Sequence, residues 1–365
     1  MGERESAVED VVNPWGGRRV FLTGHTGFKG GWLALWLARR GAEVRGYALD
    51  PPTEPSLFTQ ARVARFIDDV RGDILDRARL ELAMREFAPE VVLHLAAQPL
   101  VRRSYADPLG TYLTNVVGTA NLLEAARATP SVRAVVVVTT DKCYENHEGQ
   151  RPYSESDPLG GHDPYSSSKA CAEIVSAAYR SSFFSVERPE GERVAMATAR
   201  AGNVIGGGDW SEDRLIPDLI RGFHRGEPVR IRRPQAVRPW QHVLEPLHGY
   251  LLLAEHLLAH DPAASSAFNF GPREHDAWTV EQIADFLAGA WGAGAQWVRD
   301  GDPGVHEAAT LRLDASKAQQ QLGWQPRLPI ETALAWTVEW YRAWQAGAPM
   351  EQRTEAQIAA YERLG

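Results

Sequence analysis

Apolar residues fall along this chain in two alternating rhythms, short unbroken runs and longer stretches with one apolar face. Val135-Val136-Val137-Val138 is the clearest run. Four consecutive β-branched residues with no polar partner face read as a strand buried on both sides, as in a parallel sheet. Similar strands are expected at Arg19 to Thr23, Glu43 to Leu49, Phe66 to Val70, Glu90 to Leu95 and Arg193 to Arg200. Helices are expected between them: Trp32 to Arg40 closed by Gly41, a helix ending at Phe87, a long helical region from Pro108 to Ala128, and His162 to Ser182. Strands alternating with helices, without hairpin signals, predict an α/β chain built on a doubly wound parallel sheet.

Beyond residue 203 the rhythm changes. Asp314-Ala315-Ser316-Lys317 starts a short helix stopped by Gly323, and Ile330 to Gln345 reads as an amphipathic helix with Trp336, Trp340 and Trp344 on its core face. The expected organisation is a loose arm over residues 1–15 and a dinucleotide-binding domain over 16–203 with a returning segment near 240–270. A smaller C-terminal substrate domain takes up 204–239 and 271–365.

Composition changes this picture little. The 365 residues are 44% hydrophobic and 24% charged, an ordinary globular balance with room for a large core. The net charge of −8 (39 basic against 47 acidic) points away from nucleic acid. Cys143 and Cys171 have neither metal nor redox spacing and read as free thiols. The polar, acidic start is unlike a signal peptide, and the most apolar later stretch, Leu251 to Leu258, is too short to span a membrane. A cytoplasmic protein is expected.

The candidate chemistry lies at strand ends. Gly24-His25-Thr26-Gly27-Phe28-Lys29-Gly30 joins the first strand to the first helix as G-x-x-G-x-x-G. Its glycines permit a tight turn and close approach to a pyrophosphate, which helix N-terminal amides then face. Asp50 ends the second strand, where a carboxylate accepts from ribose hydroxyls and repels a 2′-phosphate, favouring NAD over NADP. The alternative is that Asp50 only opens the Pro51-Pro52 turn. Thr139-Thr140-Asp141-Lys142 follows the fifth strand, and Tyr165 and Lys169, four apart, share a helix face. A lysine ammonium beside a phenol lowers the phenol pKa and makes it a proton acceptor. His94 reads as a packed core histidine. His242, Glu245 and His248 are interrupted by Pro246 and read as structural, so no metal is expected. Seven arginines, at 214, 221, 225, 230, 232, 233 and 238, suit a phosphate-bearing ligand, although a solvated charged face explains most of them.

Several blocks together carry a resemblance: the glycine loop; His94-Leu95-Ala96-Ala97-Gln98-Pro99-Leu100-Val101-Arg102-Arg103-Ser104-Tyr105; Thr140-Asp141-Lys142-Cys143-Tyr144; Tyr165 with Lys169; Arg200-Ala201-Gly202-Asn203-Val204-Ile205-Gly206-Gly207-Gly208-Asp209-Trp210; and Arg238-Pro239-Trp240-Gln241-His242-Val243. From about Trp15 to Trp344 the chain resembles the CDP-glucose 4,6-dehydratase family of the extended short-chain dehydrogenase/reductase superfamily. Thr140 stands where many relatives carry serine, which keeps the hydroxyl; Gly31 also differs. The resemblance implies a Rossmann fold and a cytoplasmic, homodimeric lyase of deoxysugar biosynthesis. Its reaction would oxidise C4 of CDP-glucose, eliminate water across C5 and C6, and return hydride to C6. Tyr165 is then the base at the 4-hydroxyl, supported by Thr140 and Lys169. Asp141 is the acid at C6, and Lys142 the base at C5, where dTDP-glucose relatives carry glutamate. Another nucleotide-sugar dehydratase or epimerase of the superfamily is the alternative, and a dinucleotide-binding sensor a further one.

The candidate NAD-binding residues are Gly24, Thr26, Gly27, Phe28, Lys29, Gly30, Asp50, Asp73, Ile74, Leu95, Ala96 and Ala97, with Tyr165 and Lys169. Gln98, Asn203, Arg214 and Arg238 are the candidate substrate residues. The helices at 108–128 and 162–182 resemble the pair that superfamily members use for a dimer contact.

Overall fold

The structure, a computed structural model, describes residues 13–147, 149, 151–184, 194–300 and 310–364. Most of the expected arm therefore lies outside the described residues. Its last residue is packed, however: Trp15 is fully buried and its indole N–H donates to Glu255 Oε1 at 2.5 Å.

A seven-stranded parallel sheet organises the chain, in the order β10-β6-β5-β4-β1-β2-β3. Its strands are β1 (Arg19–Thr23), β2 (Glu43–Ala48), β3 (Asp68–Arg71), β4 (Val91–His94), β5 (Ala134–Val138), β6 (Ala195–Ala201) and β10 (Ala267–Phe270). The expected third strand is displaced toward its C-terminal end. Phe66 and Ile67 instead pack as partly buried side chains at the margin of the core.

Val135 to Val138 shows why the runs become central strands. Val136 and Val138 enter the larger core, Val135 and Val137 the smaller one on the opposite face. In β1, Val20 and Leu22 face one core and Phe21 the other. Each such side chain, buried on either face, contributes about 1.5–3 kcal/mol, which a surface strand gains on one face only.

Helices cover both faces: α1 (Phe28–Arg39), α2 (Leu57–Gln60), α3 (Arg77–Phe87), α4 (Val101–Ala106), α5 (Pro108–Tyr112), α6 (Gly118–Arg127) and α7 (Pro164–Ser182). The expected helix at 108–128 is α5 and α6 joined through a wider turn of π type over Leu113–Val117. Asp107 caps α5 through Gly110 N, and Asp163 caps α7 through Ser166 N.

The C-terminal half supplies α8 (Leu215–Arg225), α9 (Leu244–Leu258), α10 (Val280–Trp291), α11 (Ser316–Leu322), α12 (Ile330–Gln345) and α13 (Met350–Glu362). Two small parallel pairs accompany them: β7 (Asn203–Ile205) with β9 (Trp240–His242), and β8 (Val229–Ile231) with β11 (Trp297–Arg299). Trp340 is fully buried and Trp336 and Trp344 pack beside the same core, as the helical spacing predicts. Gly323 ends α11 in the left-handed conformation. No helix among the described residues is long and apolar enough to cross a membrane.

Candidate active site

β1 pairs with β2 on one side and β4 on the other, so chain direction through the sheet reverses between β1 and β4. The crevice outside the carboxyl ends of such strands is where dinucleotides bind. The glycine loop leaves β1 there and Leu95-Ala96-Ala97 leaves β4. Gly24 has φ +77°, and a Cβ on it would lie 2.7 Å from Ala96 N; one on Gly30 would lie 2.1 Å from Gly24 O. Side chains at these two positions are excluded and the loop stays flush with its neighbour, a shape that fits a pyrophosphate against backbone. Thr26 Oγ1 donates to Leu49 O at 2.9 Å, and Leu95 N and Ala96 N both donate to Thr23 Oγ1.

At the end of β2 the Asp50 side chain is 92% exposed and 3.7 Å from Arg71 Nη1, open to a ribose. Phe28 is partly buried against the larger core. Asp73 Oδ1 caps Leu75 N, and Ile74 is buried beneath Gly118. His94 bridges Thr23 and Thr119 through its two ring nitrogens, and burial pulls its pKa down to about 3. It is a neutral core residue, as expected.

β5 delivers Thr140, Asp141 and Lys142 to the same rim. Thr140 Oγ1 donates to Asp141 Oδ1 at 2.9 Å and accepts from Lys142 N at 3.4 Å. Asp141 is buried and its Oδ2 has no hydrogen-bond partner among the described residues. Burial raises its pKa, against the pull of Lys142, the Thr140 hydroxyl, Arg238 and Lys29. A carboxyl held toward its protonated form with one oxygen unspent is suited to give a proton.

α7 brings Tyr165 and Lys169 to this cluster, but the expected pairing between them is not what sets the phenol. Burial pushes Tyr165 up to about 12; its hydrogen bond with Thr140 and the charge of Arg214 pull the other way, and Asp141 adds to the rise. Lys169 Nζ turns instead to Val138 O at 3.2 Å, and burial takes its pKa down to about 8, opposed by Glu173. Its charge bears on Lys29 and His94, whose pKa values it helps to lower.

Lys29 was expected only as part of the glycine loop. Its side chain reaches the cluster, with Nζ 3.4 Å from Tyr250 OH. Burial, Lys169 and Arg214 together bring its pKa to about 7, against the attraction of Asp141. Tyr250 comes from α9 and had no signal in the sequence. Glu173 did have one: it lies eight residues after Tyr165 and four after Lys169, on the same helical face. It accepts from Thr139 Oγ1, from Thr198 Oγ1 at 2.7 Å and from Arg200 Nη2 at 2.7 Å, forming a closed network behind Lys169.

The arginine patch separates in space. Arg238 is buried and acts on Asp141, and Arg214 acts on Lys29 and Tyr165 while pairing with Asp209 at 3.1 Å. Arg221 binds Trp210 O, Ser211 O and Asp218, whereas Arg225 and Arg230 are exposed. Asn203 begins β7, its N–H donating to Pro239 O. Gln98 is spent locally: its amide donates to Leu100 O and Thr111 Oγ1 and accepts from Leu100 N. Glu245 has a structural task, accepting from Arg327 N, Leu328 N and Tyr361 OH. Cys143 and Cys171 are free thiols.

Over 349 residues the chain is 51% identical to CDP-glucose 4,6-dehydratase of Salmonella typhimurium, covering 96% of this chain and 97% of that one. A crystal structure of dTDP-glucose 4,6-dehydratase from Streptomyces venezuelae with NAD and TYD bound superposes with a TM-score of 0.74 at 26% identity, covering 91% of this chain and 99% of that one. UDP-glucose 4-epimerase from Thermotoga maritima shares the fold, with a TM-score of 0.76 at 23% identity over 90% of this chain and 99% of that one. The NAD dependent epimerase/dehydratase family matches residues 20–271, more than half of the sequence, and the chain belongs to that family.

Proposed function

We infer that this chain is an NAD-dependent lyase that converts CDP-glucose to CDP-4-keto-6-deoxyglucose. The observation that carries the reading is Asp141, a buried carboxyl with a free oxygen, joined through the Thr140 hydroxyl to Tyr165. Oxidation and reduction at C4, all that a 4-epimerase needs, leave such an acid without a task. Similarity at 51% identity along 96% of the chain to a CDP-glucose 4,6-dehydratase supports the choice of substrate.

The residues act as follows in this reading. Tyr165 takes the proton of the sugar 4-hydroxyl. Thr140 bridges it to Asp141, so the proton gained at C4 is passed toward the group that protonates the departing 6-hydroxyl. Lys142, half-buried beside Asp141, takes the C5 proton in its neutral form, which the Lys169 charge, a nicotinamide cation and desolvation would favour; the 4-ketone acidifies that proton, and Lys142 returns it to C5 once C6 is reduced. NAD, when held there, would supply the acceptor for hydride from C4 and the donor for its return to C6, and its pyridinium charge would lower the Tyr165 pKa. Substrate and product differ by one water, so no NAD is consumed. Gly24, Thr26, Gly27 and Gly30 would hold the pyrophosphate, Asp50 the adenosine ribose and Lys169 the nicotinamide ribose. Asn203, Arg214 and Arg238 face the nucleotide diphosphate, with Gln98 shaping the adjoining loop.

The division of labour we propose gives residues 16–203 and the returning segment near 240–270 to NAD, and 204–239 with 271–365 to the sugar nucleotide. We further propose a cytoplasmic homodimer. Leu109, Leu113 and Val117 near α5 and α6, and Ile174 on α7, are exposed apolar residues on the two expected helices; an apolar surface of this kind suits self-association. A monomeric mass by light scattering at micromolar concentration would refute the dimer.

The test of function is to supply CDP-glucose and dTDP-glucose separately, each deuterated at C4. CDP-glucose should give a 4-keto-6-deoxy product with deuterium in its C6 methyl group and no net NADH. Deuterium lost to solvent, or preferential turnover of dTDP-glucose, would overturn the mechanism or the substrate respectively.

A further inference from the structure

We propose that the edge of the sheet carries a second binding site, outside the catalytic cleft, for the phosphate of a small hydroxylated phosphomonoester. A recess of about 520 Å³ opens between α7, the start of β10, the loop at 154–159 and Lys317 of α11. A recess of several hundred Å³ is the size that holds small-molecule ligands.

Three cations, Arg180, Arg200 and Lys317, line it. They sense one another: burial and then Arg200 lower the Arg180 pKa despite the attraction of Glu173, and burial, Arg180 and Arg200 lower that of Lys317 despite Glu155. The two carboxylates on the wall do not match them. Glu173 is already spent on Thr139, Thr198 and Arg200. Glu155 Oε1 accepts from Asn269 N at 2.7 Å.

The donors are in excess. Arg180 Nη1 and Arg200 Nε are buried without a hydrogen-bond partner among the described residues. Lys317 Nζ gives two bonds, to Ser266 Oγ and Ala267 O at 2.8 Å each, and an ammonium has three to give. Buried donors without acceptors are costly, and a phosphate supplies several acceptors to a guanidinium fork and an ammonium at once. Glu155, beside Ser154 and Ser156 on the same wall, is placed to accept from a ligand hydroxyl. This recess belongs to neither the glycine loop nor the Tyr165 cluster, and nothing in the dehydration uses Arg180 or Lys317.

The experiment is calorimetric titration of the full-length protein with glycerol 3-phosphate and, separately, with inorganic phosphate. Saturable binding of glycerol 3-phosphate with Kd below about 1 mM is expected, tighter than that of inorganic phosphate. Arg180→Met should weaken it by about tenfold or more, and Arg180→Lys, which keeps the charge but not the fork, by less. Arg238→Met, in the cleft, should leave it unchanged. Absence of saturable binding, or loss of binding through Arg238→Met instead of Arg180→Met, would overturn the site. Equal affinity for the two probes would overturn the assignment to a monoester.

Discussion

Asp141 and Glu245 are both buried carboxylic acids, and their surroundings differ in one respect. Glu245 spends its oxygens on Arg327 N, Leu328 N and Tyr361 OH, tying α9 to the 327–328 loop and α13. Asp141 meets one hydroxyl and, among the described residues, leaves Oδ2 without a partner. Burial raises both pKa values, Glu245 to about 7. Desolvation therefore does not separate the structural acid from the one proposed to be catalytic. What differs is satisfaction: a buried polar group left unpaired costs stability, a cost that a group with chemistry to perform can justify.

The comparison can be broken most directly at Asp141. Asp141→Asn should lower kcat by roughly a thousandfold, the scale of lost acid catalysis. Its melting temperature should be at least that of the parent, since the cost of burying an ionisable carboxyl is removed. A melting point several degrees lower would mean that Asp141 is structural after all.

Glu245→Ala should do the reverse. It strands two buried donors and one part-buried donor, so stability in urea should fall by about 2–4 kcal/mol, while kcat per folded molecule stays near the parent value. Loss of kcat with unchanged stability would dissolve the contrast.

The arginines sharpen the same point on a smaller scale. Arg238→Ala should raise KM for the nucleotide sugar by about tenfold or more, because it removes a charge proposed to face the diphosphate. Arg225→Ala, at an exposed position on the same stretch of sequence, should change KM by less than about twofold. Equal effects would return the whole patch to a single role.

The smallest effect is a pH dependence at Lys29. Its folded pKa, about 7, lies below the unfolded 10.5. The unfolded chain therefore binds the extra proton between these values, and the stability associated with neutral Lys29 is lost as pH falls toward and through 7. Lys29→Met removes that loss. Its stability advantage over the parent should grow as pH drops from 10.5 to about 7 and level off below. An advantage independent of pH would show that Lys29 is not desolvated in the folded protein.

The hydrophobic rhythm was enough to place the central strands and several helices, because burial on two faces, or along one helical stripe, must be written into consecutive residues. Val135 to Val138 and Ile330 to Gln345 are legible for that reason. The strand-end chemistry was legible too, since the glycine loop, Thr140-Asp141-Lys142 and Tyr165 with Lys169 are local patterns. β10 and the two small strand pairs escaped: each is four residues or fewer, and its pairing comes from segments distant in sequence. Only the fold could set Arg214 and Arg238 beside the Tyr165 cluster while leaving Arg225 and Arg230 exposed, carry Tyr250 to Lys29, and bury Tyr165 against Thr140. Spacing along a helix states which side chains share a face. Solvation, orientation and partners from other elements decide their charge, and those arise when the chain has closed around them.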